Sequence, residues 1–345
     1  MGIAGKNGAG AVRIADVARH ADVGAGTVSR VLNGSPNVTA QTRERVMAAI
    51  QELGYVPNLV ARGLAANRTG VVAAIIPVLG YAQHSEVIQG MLEGLKPYGI
   101  TVMIGSSGYS EEGEERVVEA FLARRPDAIY VTGGRHSART RELLKSSGIP
   151  VIEGSNLHDN PIDTVIGYSN FDAARKLTAR LFASGRKHVA HVTFSTDPND
   201  RIADRLEGYR AACRELGLPD DLFIETTNSF EGGAKALRTI LDSWPEVDGI
   251  FFVTDVLAVG ALHECQRRGI AVPEHFAICG FDDLPIAASV VPALTTARIG
   301  PVSMGRKIAE VILARIKGEA DVDKRIDVGF QIIERESAVL GPKPP

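Results

Sequence analysis

The sequence predicts a small N-terminal all-α helix-turn-helix domain followed by an α/β core of two doubly wound subdomains. Three observations lead there. Between positions 14 and 33, two short stretches of helical period flank a turn of small residues. From Val71 onward, short apolar segments alternate with amphipathic segments of helical period, the pattern of parallel sheets covered by helices. Nine such apolar segments fall within about 270 residues, which suits two sheets better than one.

The head begins with Ile14, Val17 and Ala18, spaced to share one helical face that Ala21 continues. Val23 sits in the turn. Thr27, Val28, Val31 and Leu32 then restart the period. Packing Val28, Val31 and Leu32 on the first helix leaves Ala25, Gly26, Ser29 and Arg30 outward. This arrangement reads either as an ordinary helical hairpin or as a motif whose second helix enters the DNA major groove. A third helix follows, with Thr39 as its N-cap, Val46, Ile50 and Leu53 on its apolar face, and Gly54 as its stop. The segment from Tyr55 to Asn67 is too short for a stable isolated helix, and Gly63 weakens it further. It is either a plain linker or a helix that forms only with DNA and a second subunit to support it. The expected boundaries are a flexible tail at 1–11, the reader at 12–57 and a hinge at 58–70.

In the core, strands are expected at 71–77, 101–106, 128–132, 151–153, 164–167, 188–193, 222–226, 249–253 and 276–281. Helices are expected near 84–97, 112–125, 137–147, 171–184, 201–217, 230–242, 255–269 and 301–317. No long Pro/Ser linker divides these elements, so the two halves exchange chain segments. The expected division is 71–168 with 299–325, and 169–298 with 326–340. A small ligand would sit between the halves, at the C-terminal ends of strands. Glu153, Arg201, Arg205, Thr254, Asp255, Asp282 and Asp283 recur at that place. Each alone reads equally well as a helix cap or a solvated loop charge.

Composition narrows the function classes. The chain is 45% hydrophobic and 23% charged, ordinary for a globular protein, and no apolar run approaches the roughly 18 residues of a membrane span. The first ten residues carry no apolar stretch, so no secretory signal is expected. Three cysteines without a CxxC argue for a reducing cytoplasm and against a disulfide framework. Residues 1–70 carry eight Lys/Arg against four Asp/Glu, a net of +4; with −3 for the whole chain, the remainder carries −7. A basic head on an acidic body suits a DNA reader attached to a non-DNA core. No nucleophile elbow, Walker loop or HExxH is present. No catalytic residue, cofactor or metal ion is therefore expected. His188 and His191 face opposite sides of one strand, and His263 and Cys265 do not share a helix face.

The run Thr27-Val-Ser-Arg-Val-Leu-Asn33-Gly34 resembles the signature of the LacI/GalR family of bacterial repressors. The resemblance covers nearly the whole chain after Ala11 and implies a core like that of periplasmic sugar-binding proteins. It implies that Ala25, Gly26, Thr27, Ser29, Arg30, Asn33, Asn58 and Leu64 contact DNA. Arg30 would reach a guanine edge, and Leu64, on the hinge helix, would wedge into the minor groove. Arg205-Leu-Glu-Gly-Tyr209 resembles the family's Arg-x-x-Gly-aromatic segment, whose Arg binds effector, and Gly280-Phe-Asp-Asp283 its Gly-aromatic-Asp-Asp segment, whose first Asp does so. Thr254 departs from the Asn found there in many members. Glu153 falls on a position acidic in several. Gln83 and His84 replace common aromatics, which points to a polar ligand rather than a stacked purine. Phe230 completes the expected effector set.

Gly105-Ser-Ser-Gly-Tyr-Ser110, Ile149-Pro-Val-Ile-Glu153 and the 258–267 segment resemble the gluconate-operon repressors within the family, as does Arg201 four residues before Arg205. Two cationic side chains one turn apart suit a carboxylate or phosphate, unless Arg201 pairs with Asp197, Asp200 or Asp204. The reading is a cytoplasmic homodimeric repressor of double-stranded, pseudo-palindromic operator DNA, without a membrane association, controlled by a sugar acid such as gluconate or a phosphorylated derivative. The tail from Gly341 has no heptad pattern that would build a higher oligomer. The alternatives are a neutral-sugar or nucleobase effector, a cytoplasmic sugar sensor without DNA function, and a sugar-metabolising enzyme with a DNA arm.

Overall fold

A computed structural model describes residues 12–32, 35–55, 68–197, 199–319 and 322–338. The chain forms two compact units, 1–69 and 70–345.

The first unit contains α1 (Ile14–His20), α2 (Ala25–Leu32) and α3 (Ala40–Leu53). The α1 start is closed by the Arg13 amide donating to Asp16 at 2.9 Å. Thr39 caps α3 by accepting from the Thr42 amide at 3.3 Å, and Gly54 ends it in the left-handed region at φ 61°. Val17, Val28 and Val46, one from each helix, are fully buried against one another, and Leu32 is partly so. Arg43 of α3 donates to the Val31 and Ser35 carbonyls at 3.3 and 2.8 Å. It thereby supplies partners at the end of α2 that a helix cannot supply itself.

The second unit has two sheets. The first contains β1 (Val71–Ile76), β2 (Thr101–Ser106), β3 (Ala128–Thr132), β4 (Val151–Gly154), β5 (Thr164–Gly167) and β11 (Arg325–Asp327), in the order β11-β5-β4-β3-β1-β2. All its pairings are parallel. The second contains β6 (Val189–Thr193), β7 (Phe223–Glu225), β8 (Gly249–Phe252) and β9 (Ala277–Cys279), parallel in the order β7-β6-β8-β9. Beside it β10 (Thr296–Arg298) and β12 (Gln331–Ile333) pair antiparallel. Runs such as Val-Val-Ala-Ala-Ile-Ile in β1 form parallel strands because helices cover both faces, so no polar alternation is needed.

The helices are α4 (Ala82–Leu95), α5 (Glu111–Leu122), α6 (Ala138–Ser146), α7 (Asn170–Ala183), α8 (Asp200–Glu215), α9 (Phe230–Ser243), α10 (Asp255–Arg268) and α11 (Pro301–Lys317). α11 packs on α4 although some 200 residues separate them. Their backbones approach so closely at Gly90 and Gly305 that a Cβ on either would fall on the other helix's backbone. The chain passes between the lobes three times: between β5 and α7, between β10 and α11, and between β11 and β12.

Two expectations need correction. The second lobe was expected to resume at 326, but Ile326 and Asp327 still pair with β5, so the last crossing follows Asp327. The short strands β10, β11 and β12 were not anticipated. Three residues of mixed polarity carry too little periodicity to register.

Candidate functional site

In the head, α2 presents Ala25, Gly26 and Arg30 to solvent, with Thr27 and Ser29 half-buried and Val28 and Val31 inward. Arg30 folds back so that Nε donates to the Gly26 carbonyl at 3.3 Å. The face is small and uncharged except for one guanidinium, which leaves room for base edges beside it. Asn33, Asn58 and Leu64 lie outside the described residues.

In the core, a cavity of about 240 Å³ is lined from both lobes. Tyr81 and Gln83 follow β1, and Tyr109 follows β2. Phe194 follows β6, Arg201 and Arg205 lie on α8, Asn228 follows β7, Thr254 follows β8 and Asp282 follows β9. Parallel strands deliver all these segments to the same sheet ends, which is why residues far apart in sequence converge.

Arg205 is 1% exposed and rigidly held. Its Nε donates to Asn170 Oδ1 at 2.9 Å, Nη1 to the Val253 carbonyl at 2.7 Å and Nη2 to the Tyr168 hydroxyl at 3.4 Å. Its guanidinium lies 3.5 Å over the Phe281 ring, and Nη2 stands 3.6 Å from Asp282 Oδ1. Arg201 is also buried and pairs with Asp200 at 2.8 Å. Burial works to raise the Asp200 pKa, but Arg201 and the Gly134 amide together hold it below the ordinary value. Arg201 therefore has one of the local acid partners considered above.

Asp282 and Asp283 both occupy the left-handed region, with φ of 115° and 57°. Such adjacent strain persists only where surroundings over-determine it. Here the Asp282 amide donates to Ala297, and the Asp283 carboxylate binds Arg298 and Arg335 at 2.5 and 2.7 Å. Asp282 Oδ1 has no hydrogen-bond partner, nor does the buried Gln83 Oε1. Burial lifts the Asp282 carboxyl to about 7 against the pull of Arg205, with Glu86 adding to the rise. The cavity thus offers guanidinium donors beside two unsatisfied oxygen acceptors. Thr254 lines it too, but its hydroxyl is engaged, donating to Asn228 Oδ1 at 2.8 Å and capping α10.

Three expected ligand residues lie elsewhere. His84 is buried behind the wall, its ring stacked on Tyr81 and its Nε2 3.3 Å from the Tyr109 hydroxyl. Burial first, then Arg201 and Arg205, lower its pKa to about 3, so it is neutral and supports the tyrosines. Glu153 lies within β4, not after it, and belongs to a separate buried cluster with His136, His158 and Arg141. Phe230 opens α9 half-exposed, while Asn228, two residues earlier, lines the cavity.

Sequence reasoning missed Tyr81, Tyr109, Phe194 and Asn228. The signal was available, because each follows a strand as Asp282 does. Tyr81, Tyr109 and Phe194 give the cavity aromatic wall beside Gln83, which replaces a common aromatic.

A DNA-reading helical head and a two-lobed core with a polar cleft define a DNA-binding transcriptional regulator. Residues 13–58 match the family model described as bacterial regulatory proteins, lacI family, and 178–338 match the periplasmic binding protein-like domain. The chain is 35% identical over 325 residues to the HTH-type transcriptional regulator GntR of Pseudomonas aeruginosa, covering 93% of this chain and 94% of that one. A LacI-family transcriptional regulator from Silicibacter pomeroyi superposes with a TM-score of 0.90 at 29% identity, covering 95% of this chain and all of that one. The structure of the transcriptional regulator CelR in complex with cellobiose matches with a TM-score of 0.68 at 29% identity, over 94% of this chain and 99% of that one. The chain belongs to the LacI family. Its relatives are transcriptional regulators, not enzymes. No helix among the described residues is long and apolar enough to cross a membrane.

Proposed function

We propose that this regulator is a cytoplasmic homodimeric repressor whose operator affinity is set by a sugar acid, such as gluconate or a phosphorylated derivative, bound in the core cavity. The observation that carries this reading is the pairing of donors and acceptors there. Arg201 and Arg205 suit a carboxylate or phosphate, while Gln83 Oε1 and Asp282 Oδ1 lack partners and suit hydroxyl donors. A buried acceptor left unsatisfied costs free energy that a ligand hydroxyl would recover. In the head, Ala25, Gly26, Thr27, Ser29 and Arg30 would face the major groove, and the hinge residues Asn58 and Leu64 the minor groove. Ligand-driven closure of the lobes would shift the DNA-binding population by the ligand's differential affinity for the closed form.

Calorimetry on two variants tests the effector class. Arg201→Gln should weaken gluconate and 6-phosphogluconate at least tenfold while changing sorbitol little, because it leaves the Asp200 carboxylate without its cation and facing the acid. Arg205→Gln should weaken all three, because Arg205 also braces Asp282. Equal losses of acid and polyol in Arg201→Gln would remove the anionic clamp.

A neutral sugar is the second reading. Both arginines already face carboxylates, Asp200 and Asp282, and Tyr81, Tyr109 and Phe194 supply aromatic wall. The relative solved with cellobiose takes a ligand of this class. Wild-type protein that binds a neutral hexose and none of the acids would establish it.

A further inference from the structure

The charge balance of the cavity constrains how an acid could enter it. Arg201 is already matched by Asp200, which also accepts from the Gly134 amide and from Asn156. The remaining cation, Arg205, is fixed by Asn170, Val253 and Tyr168 and cannot swing toward a ligand without breaking buried hydrogen bonds. A carboxylate that joins Arg205 must therefore settle close to Asp282 Oδ1, itself 3.6 Å from the same guanidinium.

Among the described residues, the groups around Asp282 offer no second uncompensated positive charge for such a pair. Glu86 from α4 raises its pKa, and Asp255 at the start of α10 is coupled to it with the same sign. Asp283, next in sequence, is itself neutralised by Arg298 and Arg335. Tyr168, just after β5, is held neutral by burial, which pushes its pKa up to about 12. Two carboxylates sharing one buried cation cannot both stay ionised, and one keeps a proton.

Building on the sugar-acid reading, we propose that Asp282 takes up one proton from solvent when an anionic effector settles against Arg205. The cavity then admits the anion together with its compensating charge. Asp282 Oδ1 is the atom available for this: it is buried and has no hydrogen-bond partner. Once protonated it donates an O–H to the ligand carboxylate, in place of the acceptor the ionised form would offer a hydroxyl. The residue is poised for the step, because burial has already lifted its carboxyl to about 7 before any ligand arrives.

Calorimetry on the full-length protein, in buffers of different protonation enthalpy, counts the protons. Gluconate is the probe, since its carboxylate stays ionised across the range used. At pH 8 gluconate binding should take up close to one proton, and at pH 6 less than half of one, while sorbitol should take up none. The gluconate Kd should rise about tenfold per pH unit above pH 7. In Asp282→Asn that slope should vanish, so any disadvantage of the variant against wild type shrinks as pH rises above 7. Gluconate bound at pH 8 with no proton uptake and a flat Kd overturns the proposal and leaves the sugar-acid reading standing. Absence of binding of both gluconate and 6-phosphogluconate at any pH overturns both.

Discussion

Asp282 and Glu153 are both buried carboxylates, and both stood out in the sequence as acids near strand ends. Their surroundings give them opposite characters. Glu153 Oε2 accepts from the Ile162 amide at 2.5 Å. Its Oε1 faces His136 and His158 at 3.4 Å each and Arg141 at 3.6 Å. Burial alone would raise its pKa, but His136, His158 and the amide overcome this and hold it at about 2. Asp282 has a single guanidinium, 3.6 Å from Oδ1, and burial prevails. The comparison teaches that burial of an acid does not mark a binding site. Glu153 Oε1 also lacks a hydrogen bond, so an unpartnered oxygen is not the mark either. The mark is charge left uncompensated, since two histidines and an arginine face Glu153 and one arginine faces Asp282.

The largest effect should come from Glu153→Gln. His136 carries the cluster's positive charge: burial would lower its pKa, yet Glu114 and Glu153 raise it to about 9. Removing Glu153 leaves His136 with Glu114 as its one carboxylate partner and Arg141 with none in the cluster, and urea denaturation at pH 6 should show a loss of about 2 kcal/mol. The pH dependence follows from the signs. The Glu153 contribution is present above its ordinary value of 4.5 and is lost as pH falls through about 2. The His136 contribution is present below 6.5 and is lost as pH rises through about 9. The deficit of the variant should therefore be greatest between these two ordinary values and shrink outside them. A deficit independent of pH would mean the cluster acts through packing alone, and the contrast with Asp282 would collapse.

Asp282→Asn should move stability the other way. Its folded pKa lies above the ordinary 3.8, so its favourable contribution is present below that value and is lost as pH rises through about 7. The neutral amide escapes this loss. At pH 8 the variant should be more stable than wild type by about 1 kcal/mol, with effector affinity reduced, and the gain should disappear by pH 5. A destabilised variant at pH 8 would show that Asp282 holds the loop together rather than waiting for a ligand.

The smallest effect should be that of His158→Gln. His158 is partly exposed, and Glu153 keeps Ile162, His136 and Arg141 without it. The expected loss is below about 1 kcal/mol. A loss as large as that of Glu153→Gln would mean that both histidines carry the cluster equally.

The sequence by itself determined whatever is written within a few residues. The valines of α1, α2 and α3 announce their helices and inner faces through spacing alone, and Arg30 is left outward by the same count. The apolar runs of β1, β3 and β8 announce buried parallel strands, and Arg205 and Asp282 follow from their places beside strand ends. Only the tertiary structure decided which polar residues share a space. Asn156 meets Asp204 because the chain crosses between lobes after β5, and Arg205 meets Asp282 because parallel strands of one sheet end side by side. His84 and Glu153 turned inward to Tyr109 and His136, which neighbouring segments of the first sheet place opposite them. Periodicity reports which side of an element is buried. It carries no record of what the neighbouring element places opposite, and the balance of donors and acceptors at a site depends on that neighbour.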